Sequence, residues 1–105
     1  MSPIAHRGEV WLAELDKVRP VIIMTRNPMG RYLNALIVAP VTSTTRGLST
    51  EVAVGEEDGI RIPSVANLDN VQLVSRQRFR RRVGTASSAT MSALCQALAV
   101  AVDCN

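Results

Sequence analysis

Two short stretches bring together residue types that handle phosphate. Arg19-Pro20-Val21-Ile22-Ile23-Met24-Thr25-Arg26 sets an arginine at the mouth of one apolar strand, and Ile37-Val38-Ala39-Pro40-Val41-Thr42-Ser43-Thr44 ends the next in a hydroxyl cluster. A guanidinium is a planar fork that grips phosphate through parallel hydrogen bonds. If the two strand ends meet, they can hold one phosphate between them. The chemistry suggested is work on a nucleic-acid backbone.

The charge balance points the same way. The net charge is +3, and eleven of the twelve basic residues are arginine rather than lysine, which acts only as a point charge. Five of them fall in Arg76-Gln77-Arg78-Phe79-Arg80-Arg81-Arg82. That run reads as a solvated basic surface, as an electrostatic footprint for nucleic acid with Phe79 stacking or packing, or as a landing site for an acidic protein, and the run alone does not choose.

These residues need elements to position them. A length of 105 residues fits one domain, 1–105, with a modest core that invites a dimer. Apolar content of 47% with 20% charged residues is globular composition, and no apolar run approaches the ~20 residues that span a bilayer. The N-terminus lacks a secretory pattern, so a cytoplasmic protein is expected. Cys95 and Cys104, nine residues apart, would be separated by roughly 13 Å in one helix and could not bridge. With one histidine besides, a zinc site is not expected, and no metal or other cofactor is assigned.

Glu9 to Leu15 alternates, placing Val10, Leu12 and Glu14 on one face and Trp11, Ala13 and Leu15 on the other, and predicts a first strand followed by a turn at Asp16 to Val18. Val21 to Thr25 and Leu36 to Val41 are β-branched runs too short for helices, separated by the turn residues Asn27-Pro28-Met29-Gly30. Thr50 to Val54, Ser64 to Leu68 and Val71 to Val74 extend the sheet, with Glu56-Glu57-Asp58-Gly59 as an acidic turn. From Ser87 or Ser88 onward, Met91, Leu94, Cys95, Leu98 and Val102 recur at helical spacing behind N-capping serines. No charge lies between Arg82 and Asp103, so the helix's other face is small and uncharged: either a second body approaches it closely, or alanine is simply tolerated there.

Arg7-Gly8-Glu9-Val10-Trp11, Arg19-Pro20-Val21-Ile22-Ile23, Val38-Ala39-Pro40-Val41-Thr42, Ser64-Val65-Ala66-Asn67-Leu68-Asp69 and the terminal helix together resemble the MazF/PemK group of toxin endoribonucleases, in consistent order over nearly the whole chain. The resemblance implies a mainly β fold, the SH3-like barrel of the CcdB/Kid/MazF plasmid-maintenance toxins with a C-terminal α-helix. It also implies a homodimer, metal-independent cleavage of single-stranded RNA at short sequences, and inhibition by a small acidic MazE-like antitoxin.

Cutting RNA without metal has the 2′-hydroxyl attack its neighbouring phosphate, which calls for a cation at the developing phosphorane and groups that move protons. Arg19, directly before Pro20, matches the family arginine that contacts the scissile phosphate. Thr42 matches the family threonine whose hydroxyl orients the phosphate or stabilises the transition state; taken alone, a threonine at a strand end is a turn residue. The proton acceptor is less defined. Some members use an acid between the first two strands, where Asp16 and Glu14 are the acids at hand. Asp69 stands in Asn67-Leu68-Asp69, which resembles an Arg-x-Asp pattern of the Kid-like branch with Asn67 replacing the arginine; Asp69-Asn70 equally reads as a turn. His6 is an incidental surface residue on this reading.

Base selection falls to loops, since sequence-selective reading of RNA targets unstacked bases. The loop Ser43-Thr44-Thr45-Arg46-Gly47-Leu48-Ser49 is the first candidate, with Arg26, Arg31, Tyr32 and Arg78 as supporting contacts and Asn67 beside the site. One tryptophan, one tyrosine and one phenylalanine argue against extensive stacking. Two other classes share the fold: a CcdB-like gyrase poison, whose tryptophan-containing C-terminus the closing Ala99-Val100-Ala101-Val102-Asp103-Cys104-Asn105 lacks, and a non-catalytic module that sequesters RNA or antitoxin.

Overall fold

The computed structural model of the chain describes residues 4–103, and the structural statements that follow concern those. Seven strands are formed: β1 (Glu9–Glu14), β2 (Val18–Ile23), β3 (Ala35–Thr42), β4 (Glu51–Val54), β5 (Ser64–Asn67), β6 (Gln72–Ser75) and β7 (Phe79–Thr85), followed by one helix, α1 (Ser88–Ala101). All pairings are antiparallel, in the order β4-β5-β3-β2-β1-β7, with β6 also paired to β3. The molecule is mainly β with one C-terminal helix, as the periodicity and the resemblance led us to expect.

β3 is the pivot of this sheet. Its first half, Ala35 to Val38, pairs with β6, and its last two residues, Val41 and Thr42, pair with β5. The sheet therefore divides along one strand and curls. Both faces are covered, so the alternation seen in β1 sorts residues between two cores rather than between core and water. Val10, Ile22, Ala39 and Val41 face one core with Leu94 of α1, while Trp11, Ala13, Val21, Ile23, Leu36 and Val38 face the other. Fully buried side chains such as Ile22, Leu36 and Leu94 each contribute about 1.5–3 kcal/mol by leaving water.

Three details differ from the sequence reading. β2 begins at Val18 rather than Val21, so Arg19 sits inside the strand, opposite Ala13 of β1. The arginine-rich run contains a strand, β7, which the pattern hid: register shifts at Val10/Trp11 and at Leu12/Ala13 leave Val83 and Arg80 without partners, breaking the period of two. Phe79 packs inward, its ring 6.1 Å from that of Trp11, and is not free to stack on a base.

Helix α1 starts where expected. Ser87 is its N-cap and accepts the amide of Thr90 at 3.1 Å. Its inward face is rotated from the predicted stripe: Thr90, Leu94 and Ala97 are buried, Met91, Leu98 and Ala101 are partly buried, and Cys95 and Val102 lie outside. The helix packs against β4, with Leu94 and Ala97 buried in the core they share with Val54. The expectation about Cys104 falls outside the described residues.

A backbone contact ties the β4–β5 connection to β7. Gly59 has φ +83°, and a Cβ on it would come within 2.7 Å of Gly84 Cα, while a Cβ on Gly84 would meet the Asp58 carbonyl oxygen at 2.5 Å. Only glycine fits at both positions. The fully buried Asp58 carboxylate then accepts the amides of Gly55 at 3.2 Å and Ser87 at 3.0 Å, fastening this connection to the start of α1. It is not merely a solvated acidic turn.

Candidate active site

The β2–β3 ladder runs Ile23↔Val38, Ile22↔Ala39, Val21↔Pro40 and stops. Pro20 and Pro40 have no N–H to carry it further, and beyond them β2 stays paired with β1 while β3 turns to β5, so the two strands part from each other. Two residues beyond the last pair, the same register sets Arg19 opposite Thr42. Two open grooves meet at this point, of about 760 Å³ and about 720 Å³, and Arg19, Val41 and Thr42 line both.

Arg19 is held by its own hairpin. The tight turn after β1, closed by the Leu15 amide donating to the Lys17 carbonyl at 2.9 Å, presents Asp16 to the guanidinium. Nε donates to Oδ1 at 2.8 Å and Nη2 to Oδ2 at 2.9 Å. This fork-to-fork bond holds the Asp16 carboxyl far below the usual carboxylate range and raises the Arg19 guanidinium above its ordinary value. A guanidinium carries five N–H donors; two are committed to Asp16, leaving three for a phosphate. Asp16 can thus aim Arg19 without consuming it.

Thr42 is also pre-set. Its Oγ1 accepts the Thr44 amide at 3.2 Å, which occupies an acceptor lone pair and leaves the O–H to donate outward. Beside it, Asp69 follows the end of β5 in a single 3-10 turn, where its amide donates to the Asn67 side-chain oxygen at 2.9 Å and its Oδ2 accepts the Thr50 hydroxyl at 2.5 Å. Asn67 is buried, so it braces the turn more than it meets solvent.

One groove therefore collects Asp16, Arg19, Thr42, Thr44, Arg46, Asn67 and Asp69, while Ser43 lines the other. Thr45 lines neither. Arg26 and Arg31 lie in the connection between the end of β2 and the start of β3, at the opposite end of the hairpin from Arg19 and Thr42. At ~3.3 Å per residue, the six-residue length of β2 alone puts roughly 20 Å between the two ends, so these arginines are not part of this site. Arg78 is also outside it, its Nη1 donating to the Glu14 carbonyl at 3.4 Å. His6 is exposed and lies beside Glu9, away from both grooves.

Residues that the sequence reading did not assign to the site also belong here, Arg81 among them although it stands in the arginine-rich run. Glu51 lines the first groove and accepts the amides of Arg46, at 3.1 and 3.2 Å, and of Leu48 at 3.1 Å, so it organises the β3–β4 loop. Lys17, Arg61 and Arg81 line the second groove. Glu51 acts through short-range bonds to backbone amides that no side-chain pattern announces, and Lys17, Arg61 and Arg81 reach one groove only because the fold brings three separate segments together. Among the described residues no three of His, Cys, Asp and Glu gather into a metal-holding cluster, and no helix is long and apolar enough to cross a membrane.

The curled antiparallel sheet closed by one helix superimposes on a Mycobacterium tuberculosis toxin, MazF-mt6, with a TM-score of 0.89 at 38% identity, covering 92% of this chain and 98% of that one. The chain belongs to the PemK-like, MazF-like toxins of type II toxin–antitoxin systems, whose family model matches residues 6–102. A probable endoribonuclease from M. tuberculosis, MazF5, is 40% identical over all of this chain and 99% of its own length. A mycobacterial endoribonuclease solved in complex with its cognate antitoxin has a TM-score of 0.87 at 27% identity, covering 96% and 97% of the two chains.

Proposed function

We propose that this chain, as a single toxin domain over residues 1–105, is an endoribonuclease that cleaves single-stranded RNA at a short sequence in the cytoplasm and thereby stops translation and growth. The observation that carries this reading is that Arg19 and Thr42, beyond the last pair of β2 and β3, line both grooves where they meet. Relatives named as endoribonucleases support the same class of activity.

In this mechanism the 2′-oxygen attacks the adjacent phosphorus, the bond to the 5′-oxygen breaks, and the products are a 2′,3′-cyclic phosphate and a 5′-hydroxyl. Arg19 meets the charge that develops on the non-bridging oxygens, and the outward-facing Thr42 hydroxyl donates to one of them. No metal is required, because charge stabilisation comes from the guanidinium. Asp16, bonded through both oxygens and held strongly acidic, is a poor proton acceptor and acts as a positioning residue for Arg19. Asp69 lines the same groove and is the proton acceptor in this reading, using the oxygen that Thr50 does not occupy.

The chain acts as a homodimer, and a cognate acidic antitoxin segment inhibits it by covering the arginine-rich surface and the phosphate site. The mycobacterial relative solved with its cognate antitoxin supports a partner of this kind. The test is direct. The protein is incubated with mixed single-stranded RNA in EDTA, the ends are mapped, and the reaction is repeated with Arg19→Ala. Chelator-resistant cleavage leaving cyclic phosphate, abolished in the variant, is expected; intact RNA with wild-type protein overturns the assignment.

A further inference from the structure

The two grooves that meet at Arg19 and Thr42 differ in charge. The first is lined by Asp16, Glu51 and Asp69 as well as Arg19 and Arg46. The second is lined by Lys17, Arg19, Arg61, Arg81 and Arg82, with no carboxylate among its lining residues. Arg82 is partly neutralised by Glu9 at 3.0 Å, but Lys17, Arg61 and Arg81 make no ion pair among the described residues. Three exposed, uncompensated cations thus lie along a channel that ends at the scissile-phosphate position.

Their alignment is built into the fold. Lys17 comes from the β1–β2 turn, and Arg81 stands opposite Leu12 on the neighbouring strand β7. Arg61 follows the Asp58–Gly59 segment that the two glycines press against Gly84, so the β4–β5 connection delivers it beside β7. The remaining lining is largely aliphatic: Leu12, Val18, Ile60, Ile62 and Val83. Its neutral hydrogen-bonding side chains are only the hydroxyls of Thr42, Ser43 and Ser64, the last already donating to the Ile62 carbonyl at 2.7 Å, which is little with which to read base edges, whereas spaced cations neutralise successive phosphates irrespective of sequence.

We propose that this second groove is a one-sided phosphate track: on one side of the cut the RNA is held by its backbone through Lys17, Arg61 and Arg81, and on the other side, along the groove with Glu51, Asn67 and Asp69, it is read by its bases. The proposal rests on the nuclease reading above. RNA is favoured over an acidic protein as occupant because the track runs without a break into the Arg19–Thr42 centre, where a substrate strand must continue.

The test uses the full chain and oligoribonucleotides spanning the mapped cut, with a 2′-deoxy sugar at the nucleophile so that they bind without being cleaved. Uncharged methylphosphonate linkages replace phosphates one at a time on either side, and dissociation constants are measured for wild type, Arg61→Ala, Arg81→Ala and the double variant. Neutral linkages on one side only are expected to weaken wild-type binding several-fold. The same linkages should have little effect on the double variant, whose salt slope, d log K/d log[salt], is shallower by ~0.7 for each phosphate that is no longer neutralised. Equal weakening from both sides, or variants that bind RNA like wild type and fail only to bind an acidic antitoxin peptide, overturn the track. Cleavage of the unmodified strand by wild type scores the nuclease assignment separately. Because both arginines are exposed, melting temperatures should be unchanged, and Lys17→Ala gives an independent third position.

Discussion

Arg19 combines a half-buried charge with a fixed direction, and its variants separate the two contributions. Arg19→Ala should lower kcat by roughly 10²–10³ with little change in melting temperature, as for loss of a preorganised charge at the transition state. Arg19→Lys keeps the charge and loses the fork, so single-turnover rates should fall between wild type and alanine. Asp16→Asn weakens the hold on Arg19, and its cost, up to ~10²-fold if the guanidinium moves by an ångström, should appear in kcat at every pH. The sign follows from Asp16's depressed folded value: the ion pair is complete above the ordinary 3.8 and is lost only as pH falls through the lower folded value. Over about pH 5 to 9 Asp16 therefore does not titrate, and a pH–rate profile that changes shape in Asp16→Asn would contradict its positioning role. Arg19 and Thr42 were legible in the sequence because their motifs are local. Glu51 was not, because its bonds to the Arg46 and Leu48 amides depend on the loop's backbone path, and the placing of Arg61 and Arg81 in one groove was not, because it joins segments remote in the chain. Asp16 was legible as an acid near the site, but its bidentate grip on Arg19 depends on the turn geometry.

At the scale of elements, the connection from β4 to β5 is held by backbone proximity and one buried carboxylate. Gly84→Ala forces its Cβ against the Asp58 carbonyl, and overpacking of this kind costs about 1–3 kcal/mol, read as a lowered denaturation midpoint. Because the same contact delivers Arg61, RNA binding should weaken in Gly84→Ala even where the protein remains folded. Ser87→Ala removes the cap of α1 and should cost about 1 kcal/mol without affecting cleavage per folded molecule. Most strands could be read from β-branched runs and turn residues. β7 could not, since two register shifts and three consecutive arginines, Arg80 to Arg82, mask its alternation, and only pairing with β1 reveals Phe79 as core. The helix was legible as an element but not in its rotation, because alanine carries no preference strong enough to announce which side will face β4.

Across the whole molecule, charge is distributed unevenly. Arg80 pairs with Glu14 and Arg82 with Glu9, so much of the arginine-rich strand is balanced, while the second groove stays positive. Antitoxin binding should weaken with added salt; an affinity that holds constant from low to high ionic strength would rule out an electrostatic cover. The bond between the Thr42 hydroxyl and the Thr44 amide links the two ends of this organisation. Thr44 opens the loop that Glu51 braces beside the first groove, so in the proposed mechanism the backbone placed to meet the bases also sets the rotor aimed at the phosphate. A strand of the wrong sequence that shifts this loop also turns the hydroxyl away. Discrimination between RNA sequences should then be expressed in the rate of the chemical step more than in occupancy, so that a non-cognate message is held without being cut.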